Sequence, residues 1–385
     1  MVLISLWKGY DMKRILAFAL TFILVFYCAD LKADCVGEDS SSLSLSAHSA
    51  VLIDADSRSV LYAKDHESRR GMASTTKIMT ALVAAESCEL KQTVHISPDA
   101  VGIEGSSIYL CEGEALTMEE LLYALLLQSA NDAATAIAIE IAGSIDAFAD
   151  MMNKRAEAMG LKNTHFTNPH GLYDEDHYTT AYDLAVIAAC ALENEIIREI
   201  CSTYKVTLPI DSGCTRRFLV NHNKMLKLYD GTIGVKTGFT KATGRCLVSA
   251  AERDGLRLVA VTLDAPDDWS DHRTMLDFGF EQYESVVIAE PHSFIYELPI
   301  VGADKETVTL TNTEELRMTL PKERGELSVR VELLHRFEFA PVTHGSAAGR
   351  VCYTYGNKTV TSELVFAEDI CVKTENSSFW DKIFN

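Results

Sequence analysis

The order in which strand-like and helix-like segments follow one another most constrains the fold of this chain. Residues 49–65 have the pattern of two strands around a polar turn, and segments with mainly helical spacing follow from Ser74 to Leu192. Strand-like segments return over residues 231–265, and a further helix closes this part. Because strands lie at both ends with helices between them, we predict an α/β (α+β) domain with one antiparallel sheet backed by a helical region.

The rest of the chain has a different pattern. From about Tyr283 to Val372 only short runs that alternate apolar and polar residues remain, which predicts a small all-β domain. A chain of 385 residues is long enough for two domains. We therefore place a first domain at residues 34–282 and a β-rich C-terminal domain at residues 283–372.

The N-terminus has the residue order of a secretory signal. Two basic residues precede the apolar run Ile15–Tyr27, and Ala33 offers a small residue before a cleavage site. The run is shorter than the roughly 20 residues that span a membrane, although an uncleaved anchor is the alternative. We predict a signal peptide over residues 1–33, with Met12 as an alternative start, and hence an exported protein.

Charge and cysteine content exclude some classes of protein. The net charge of −20 argues against a nucleic-acid partner, which requires a basic surface. Ten cysteines are present, and cleavage after Ala33 would leave nine, so at least one would lack a partner within the chain. Their spacing does not match a zinc site, and disulfide pairing stays undecided.

The last residues, 373–385, form a short tail with four apolar side chains at the spacing of one helical face. These are Phe379, Trp380, Ile383 and Phe384. Such a face predicts a helix that rests on a membrane surface. Packing of the tail against its own domain is an equally good interpretation.

A serine and a lysine three residues apart begin the first apolar helical segment. Ser74 and Lys77 would share one face of a helix. A serine hydroxyl becomes a good nucleophile when a base removes its proton, and a buried lysine can be neutral enough to act as that base. The same spacing recurs at Ser202 and Lys205, but a strand-like segment follows there and would separate the two side chains.

Two further motifs make the first pair more significant. Ser129 and Asn131 form the only S-x-N, in a break between two apolar helices. Residues 236–238 form the only K-T-G, at the end of a predicted strand, where lysine and threonine can hold a carboxylate. S-x-x-K, an S-x-N-type element and K-T-G, in this order, are the motif set of serine acyl-transfer enzymes that react with β-lactams.

With these motifs the chain resembles the D-alanyl-D-alanine carboxypeptidases, the low-molecular-mass penicillin-binding proteins. The resemblance extends to residues 168–185 ("NPHGLYDEDHYTTAYDLA"), to "GVKTGFT" around the third motif, and to residues 339–360 in the β-rich part. It covers nearly the whole mature chain. It implies that residues 34–282 form a penicillin-binding, transpeptidase-like catalytic domain that acts in the cell envelope. It also implies removal of the terminal D-alanine from peptidoglycan stem peptides, acylation by β-lactams, and chemistry that needs neither a metal nor an organic cofactor.

The resemblance also implies a role for each motif residue. Ser74 would attack the carbonyl between the two D-alanines, and Lys77 would take its proton. Ser129 would relay a proton to the leaving D-alanine, and Asn131 would orient the substrate amide. Lys236 and Thr237 would receive the terminal carboxylate, and the N–H groups of Ser74 and Phe239 would form the oxyanion hole. Gly238 would be a further substrate-binding residue of this motif.

Three alternatives share this scaffold. A β-lactamase would need an acidic deacylating base, and Glu175 and Asp176 in the loop after Gly171 are more typical of a solvated acidic loop. An endopeptidase that cuts cross-links would use the same catalytic residues. A silent wall-binding protein would usually have lost the motif serine or lysine. One departure from the family is Asp264, at a position where some relatives carry a basic residue, so we assign carboxylate binding to no residue there.

Overall fold

The computed structural model describes residues 43–210 and 215–373. The predicted signal peptide and the apolar tail lie outside the described residues. The α-helices are α1 Lys77–Ser87, α2 Met118–Leu127, α3 Asn131–Ala142, α4 Ile145–Ala158, α5 Ala181–Glu193, α6 Glu195–Ser202, α7 Met225–Leu228 and α8 Asp268–Gln282. Within this part of the chain, no helix is both long enough and apolar enough to cross a bilayer.

The strands fall into a catalytic half and a C-terminal half. In the first are β1 Ser49–Asp54, β2 Val60–Lys64, β3 Thr93–His95, β4 Ala115–Thr117, β5 Lys205–Ile210, β6 Thr215–Val220, β7 Thr232–Thr240, β8 Gly244–Arg253 and β9 Leu256–Leu263. In the second are β10 Tyr283–Ala289, β11 Ile295–Val301, β12 Thr307–Asn312, β13 Leu316–Pro321, β14 Ser328–Leu333, β15 Glu338–Phe339, β16 Ala347–Tyr355 and β17 Lys358–Phe366.

One five-stranded sheet organises the first half, with the strand order β2-β1-β9-β8-β7. All its pairings are antiparallel, and β7 lies at the edge. One face of the sheet packs against the helical region that includes α1, α2, α3 and α5, and α8 covers the other face. This arrangement confirms the predicted class, an antiparallel sheet backed by helices.

Capping residues begin two helices where the sequence predicts them. Thr117 caps α2, and Glu120 bonds back to the Thr117 N–H, so that the capping box is complete. Ser144 caps α4 by accepting from the Ala147 N–H. The short helix α6 was absent from our prediction, although Asn194 caps it with a side chain that accepts two backbone N–H groups.

The fold changes to all-β at Tyr283. A six-stranded sheet with the order β14-β16-β17-β12-β11-β15 and the pair β10–β13 make up this part. Its apolar side chains form a core of their own, built around Val308, Leu310, Val351 and Leu364. A separate core is typical of a domain, and the boundary at residues 282/283 stays a prediction.

The described part of the chain contains seven cysteines, and none of them is bonded to another of the seven. Cys190, Cys201, Cys246 and Cys352 are buried, which agrees with their interpretation as small apolar core residues. The pairing of the cysteines outside this part stays open.

Candidate active site

The turn that carries Ser74 differs from the predicted helix start. Residues Ala73–Thr76 form a single 3-10 turn, and the α-helix begins only at Lys77. Ala73 has a φ of 47°, a conformation that costs a non-glycine residue free energy. The prediction of an α-helix starting at Ser74 was therefore wrong by one turn, because contacts from distant segments shape this turn.

Lys77 reaches back along this turn to the serine. Its Nζ lies 3.1 Å from Ser74 Oγ, 2.7 Å from Asn131 Oδ1 and 2.6 Å from the carbonyl oxygen of His170. A neutral amine carries two hydrogens and one lone pair. If the hydrogens are donated to Asn131 and His170, the lone pair is left for the proton of the Ser74 hydroxyl.

The environment favours the neutral amine. Lys77 is fully buried, and this burial is the main reason why its pKa lies well below the ordinary value for lysine. The positive charge of Lys236 lowers the pKa further, while Asp132 opposes the shift. Burial also lowers the pKa of Lys236 itself, to about 7. Burial thus disfavours the charge on both lysines, and the charge of Lys236 adds to this effect at Lys77.

Asn131 connects the second motif to this lysine. Its Oδ1 accepts from Lys77, and its Nδ2 donates to the carbonyl oxygen of Glu104 at 2.5 Å. Both ends of the amide are therefore engaged within the protein. Ser129 is buried just before the start of α3, with a φ of 60°. The break between α2 and α3 thus places the Asn131 amide against Lys77, and the role of Ser129 stays a prediction.

The K-T-G strand lies directly against the serine turn. Lys236 is buried and donates from Nζ to the Thr237 carbonyl oxygen at 3.0 Å, whereas Thr237 is half-buried and Phe239 is exposed. A Cβ at Gly238 would come within 3.0 Å of the Ser74 nitrogen and of the Met72 carbonyl oxygen. Glycine therefore lets the two backbones approach closely, whereas a residue with a Cβ would require them to shift apart.

The segment after α4 supports the serine turn from another side, a role that sequence reasoning missed. Its His170 supplies the carbonyl oxygen for Lys77, and Asn168 Oδ1 accepts from the Gly171 N–H at 2.7 Å. Gly171 has a φ of 85°, and a Cβ there would meet the Ala73 carbonyl oxygen at 1.9 Å. These residues lie within "NPHGLYDEDHY", so the resemblance pointed to the segment without assigning their roles.

His177 fixes the same turn through its ring. Nδ1 accepts from the Thr167 N–H at 3.1 Å, so the neutral ring carries its proton on Nε2 and donates it to Thr76 Oγ1 at 2.7 Å. The Thr76 hydroxyl in turn donates to the Ala73 carbonyl oxygen. Burial lowers the pKa of His177 to about 4, so that the ring stays neutral at ordinary pH.

Other residues considered from the sequence lie elsewhere. Ser202 is exposed at the end of α6 and donates to the Glu199 carbonyl oxygen, so the second S-x-x-K is a surface feature. Glu175 and Asp176 are also exposed, as expected for a solvated acidic loop. Asp264 lies 3.7 Å from His48 Nε2.

This geometry defines a class of protein. The site combines a half-buried serine with a buried lysine 3.1 Å away and an adjacent K-T-G strand. These features characterise a serine acyl-transfer enzyme of the penicillin-recognising fold.

Comparisons with known proteins narrow the class to a family. The model of the family described as D-alanyl-D-alanine carboxypeptidase matches residues 36–267. The chain is 33% identical to the D-alanyl-D-alanine carboxypeptidase DacF of Bacillus subtilis over 368 residues, which are 93% of this chain and 94% of DacF. It is 31% identical to DacA of Haemophilus influenzae, over 88% of each chain. Penicillin binding protein 5 of Haemophilus influenzae superposes with a TM-score of 0.71 at 29% identity, covering 86% of this chain and 98% of that one.

The chain belongs to the D-alanyl-D-alanine carboxypeptidase family, and it is a hydrolase of this type. The predicted family and fold class are thereby confirmed. The family acts outside the cytoplasm, on peptidoglycan peptides that end in D-Ala-D-Ala, and it binds β-lactams.

Proposed function

We propose that this enzyme removes the terminal D-alanine from stem peptides through an acyl-enzyme on Ser74, with Lys77 as the general base. The observation that carries the proposal is the 3.1 Å approach of Lys77 Nζ to Ser74 Oγ in a site that excludes water from the amine. A neutral lysine accepts the serine proton as Oγ attacks the carbonyl between the two D-alanines.

The tetrahedral intermediate then needs donors for its oxyanion. We assign the N–H groups of Ser74 and Phe239 to this role, and the close approach of Gly238 to the Ser74 nitrogen supports the assignment. When the intermediate collapses, the C–N bond breaks and the D-alanine nitrogen takes a proton from Lys77 through Ser129. Water next attacks the ester, and its proton passes to Lys77. When this second intermediate collapses, the ester C–O bond breaks, Lys77 returns the proton to Ser74 Oγ, and the shortened peptide leaves.

The carboxylate of the terminal D-alanine requires its own site. We assign its binding to the Thr237 hydroxyl and to the positive charge of Lys236, at the open side of the edge strand β7. A bound carboxylate favours the charged form of Lys236, whose pKa of about 7 lets it become protonated at little cost. Asn131 holds the Lys77 amine towards the serine, and its role towards the substrate amide stays a prediction.

Mass spectrometry tests the nucleophile. After incubation with benzylpenicillin we expect one covalent adduct per chain, on the peptide that contains Ser74, and release of D-alanine from a peptide ending in D-Ala-D-Ala. Ser74→Ala should abolish both, whereas Ser202→Ala should retain both. An adduct on Ser202, or release of D-alanine by the Ser74→Ala protein, would refute the proposal.

We further propose that the enzyme works at the outer face of the cytoplasmic membrane, with its tail on the membrane surface. Exposed apolar side chains lie where the described chain ends: Val301 pairs with Phe339 across β11 and β15, and the Lys373 N–H donates to Gly302. The exposed ring of Phe337 packs on that of Phe339. These exposed side chains support the proposal that they contact lipid together with the apolar residues of the tail, 379–384.

Sedimentation with phospholipid vesicles tests this second proposal. We expect the mature protein to sediment with the vesicles, and removal of residues 374–385 to weaken sedimentation more than Phe218→Ala, a change of an exposed ring on β6. A mature protein that stays in the supernatant, or sedimentation that does not depend on the tail, would contradict it.

A further inference from the structure

The loop between residues 104 and 110 displays a tyrosine that the fold holds in an unfavourable conformation. Tyr109 is 84% exposed, the largest exposure among the large apolar side chains in the described part of the chain. Its φ is 58°, in the left-handed region that aromatic residues rarely adopt. Such a conformation persists only where surrounding bonds impose it.

Buried polar groups hold Tyr109 in this conformation through the residues before and after it in the chain. The Asp132 carboxylate accepts from the N–H groups of Ile108 and Leu110, at 3.3 and 3.0 Å, and from the Ser107 hydroxyl at 2.6 Å. The Tyr109 N–H donates to Ser107 Oγ at 2.9 Å. The residues before and after the tyrosine are thus fixed to one carboxylate.

An arginine from β6 completes the clamp. Arg217 donates from Nε to the Ile108 carbonyl oxygen at 2.8 Å and from Nη2 to the Tyr109 carbonyl oxygen at 3.1 Å. The guanidinium also forms a buried, two-point ion pair with Glu114. Burial alone would raise the pKa of Glu114, but the bonds from Arg217 and from the Cys111 N–H hold it below its ordinary value. The loop is therefore rigid where Tyr109 is exposed.

The same loop is continuous with the catalytic centre. Asn131 donates from its N–H to the Ser106 carbonyl oxygen at 2.7 Å and from Nδ2 to that of Glu104, and its Oδ1 accepts from Lys77. The clamping carboxylate belongs to the next residue, Asp132. Tyr109 is thus held in place by Asp132, and the preceding residue, Asn131, contacts the proposed base Lys77.

We propose that Tyr109 is a specificity-determining residue, whose ring packs against the part of the stem peptide on the amino side of D-Ala-D-Ala. A strained backbone and a buried clamp that serve to display an aromatic ring indicate a ligand beside the catalytic motif. That ligand is the substrate, because the loop borders Asn131. The inference rests on the proposed function, since it names a further contact for the same substrate.

Kinetics with two substrates test the inference. The probes are the pentapeptide L-Ala-γ-D-Glu-L-Lys-D-Ala-D-Ala and the short peptide acetyl-D-Ala-D-Ala. Loss of an aromatic contact is worth about tenfold in binding, so Tyr109→Ala should lower kcat/KM for the pentapeptide about tenfold, mainly through KM. The value for the short peptide should change less than twofold, and Tyr109→Phe should restore the pentapeptide value.

A matched control and the contrary outcomes separate the two proposals. Phe218→Ala removes another exposed ring, one position after Arg217, and should affect neither peptide more than twofold. Equal losses on both peptides, or no loss on either, would overturn the inference while the proposed function stands. Failure of the unaltered enzyme to release D-alanine from either peptide would overturn the proposed function, and the inference with it.

Stability gives a second readout that a merely structural tyrosine would not produce. Asparagine tolerates the left-handed conformation, so Tyr109→Asn should relieve strain and raise Tm by about 2 °C. Its kcat/KM for the pentapeptide should still fall about tenfold, as we expect for Tyr109→Ala. A fall in Tm together with unchanged kinetics on the pentapeptide would show that the ring serves the fold and would refute the inference.

Discussion

The proposed role of Lys77 as a base requires a neutral amine, and burial together with the charge of Lys236 favours that form. Burial removes the stabilisation by water, and Lys236 adds a second positive charge nearby. The carbonyl oxygens of Asn131 and His170 bond an ammonium group more strongly than a neutral amine and so oppose this shift, as Asp132 does, but burial outweighs them and the pKa is lowered. The acylation rate should therefore rise with pH through the pKa of Lys77.

Removal of the charge at position 236 should move this pH dependence. Lys236→Gln takes away a charge that lowers the pKa of Lys77, so that pKa should rise. We expect the acid limb of the second-order rate constant for acylation by benzylpenicillin to move to higher pH. The overall rate should also fall, since carboxylate binding is weakened, but the position of the limb is the readout.

Lys241→Gln is the matched control for this prediction, because it removes the same charge from an exposed lysine on the β7–β8 hairpin. Its acid limb should coincide with that of the unaltered enzyme. A limb that stays in place, or moves to lower pH, in Lys236→Gln would contradict the electrostatic account.

His177 makes stability depend on pH in a defined direction. Its pKa is about 4 in the folded protein and 6.5 in the unfolded chain, so the unfolded state binds more protons between these values. The free energy of unfolding therefore falls as the pH drops below about 6.5, by about 2 kcal/mol for this residue between pH 7 and pH 5.

Urea unfolding at pH 7 and pH 5 measures this contribution. His177→Gln should lower stability at pH 7, because the bonds to Thr76 and Thr167 are disturbed, and should reduce the loss between the two pH values by about 2 kcal/mol. An equal loss in the variant and the unaltered protein would assign the acid sensitivity to other groups, such as the buried His170 and His272.

At the level of elements, the serine turn depends on glycine in a segment almost one hundred residues further along the chain. Gly171→Ala combines a positive φ with a Cβ placed 1.9 Å from the Ala73 carbonyl oxygen. We expect loss of more than about 2 kcal/mol of stability and at least about tenfold slower acylation by benzylpenicillin, because the turn must shift away from Lys77.

Gly160→Ala provides the control for backbone strain. Gly160 also has a positive φ, of 77°, but a Cβ there meets nothing within 4 Å. This variant should lose only about 1 kcal/mol and acylate at the normal rate. If both variants acylate equally fast, the contact with Ala73 is not what positions Ser74.

These contacts also explain which elements the sequence could predict. The capping box at Thr117 and the cap at Ser144 are local signals, so the starts of α2 and α4 were predictable. The three motifs could be recognised from the sequence because their residue types and order are typical of serine acyl-transfer enzymes. The 3-10 turn at Ala73–Thr76 was not, since Gly171 and Gly238 shape it from distant positions.

Part of the candidate site could not be predicted from the sequence for the same reason. His170 contacts Lys77 through its backbone carbonyl, so its residue type carries no signal for this role. His177 acts on the turn through Thr76, one hundred and one positions earlier in the chain, and no periodic pattern records such a pairing. The clamp of Arg217 on the 104–110 loop likewise joins segments that are far apart in sequence.

At the scale of the whole molecule, a buried hydrogen bond joins the catalytic sheet to the β-rich part. Thr319 on β13 donates to Asp54 Oδ2 on β1 at 2.5 Å, and both residues are buried. Thr319→Val would leave a buried carboxylate oxygen with one partner fewer, which costs about 1–3 kcal/mol. We expect Tm to fall while kcat/KM for D-Ala-D-Ala peptides stays within twofold.

Thr309→Val is the control for this prediction, because Thr309 makes an exposed bond to Glu297 within the β-rich part. Its Tm should change little. If Thr319→Val lowers kcat/KM as strongly as it lowers stability, the β-rich part contributes to catalysis, and the catalytic half does not act independently.

The protonation state of one amine decides whether this account holds. Lysine labelled with ¹³C at Cε can be followed by NMR from pH 6 to pH 11, and the Lys77 signal can be assigned by its absence in Lys77→Arg. The account predicts that this amine titrates well below 10.5 and is largely neutral at the pH where acylation is fastest. A Lys77 signal that stays in the ammonium form up to about pH 10 would contradict it.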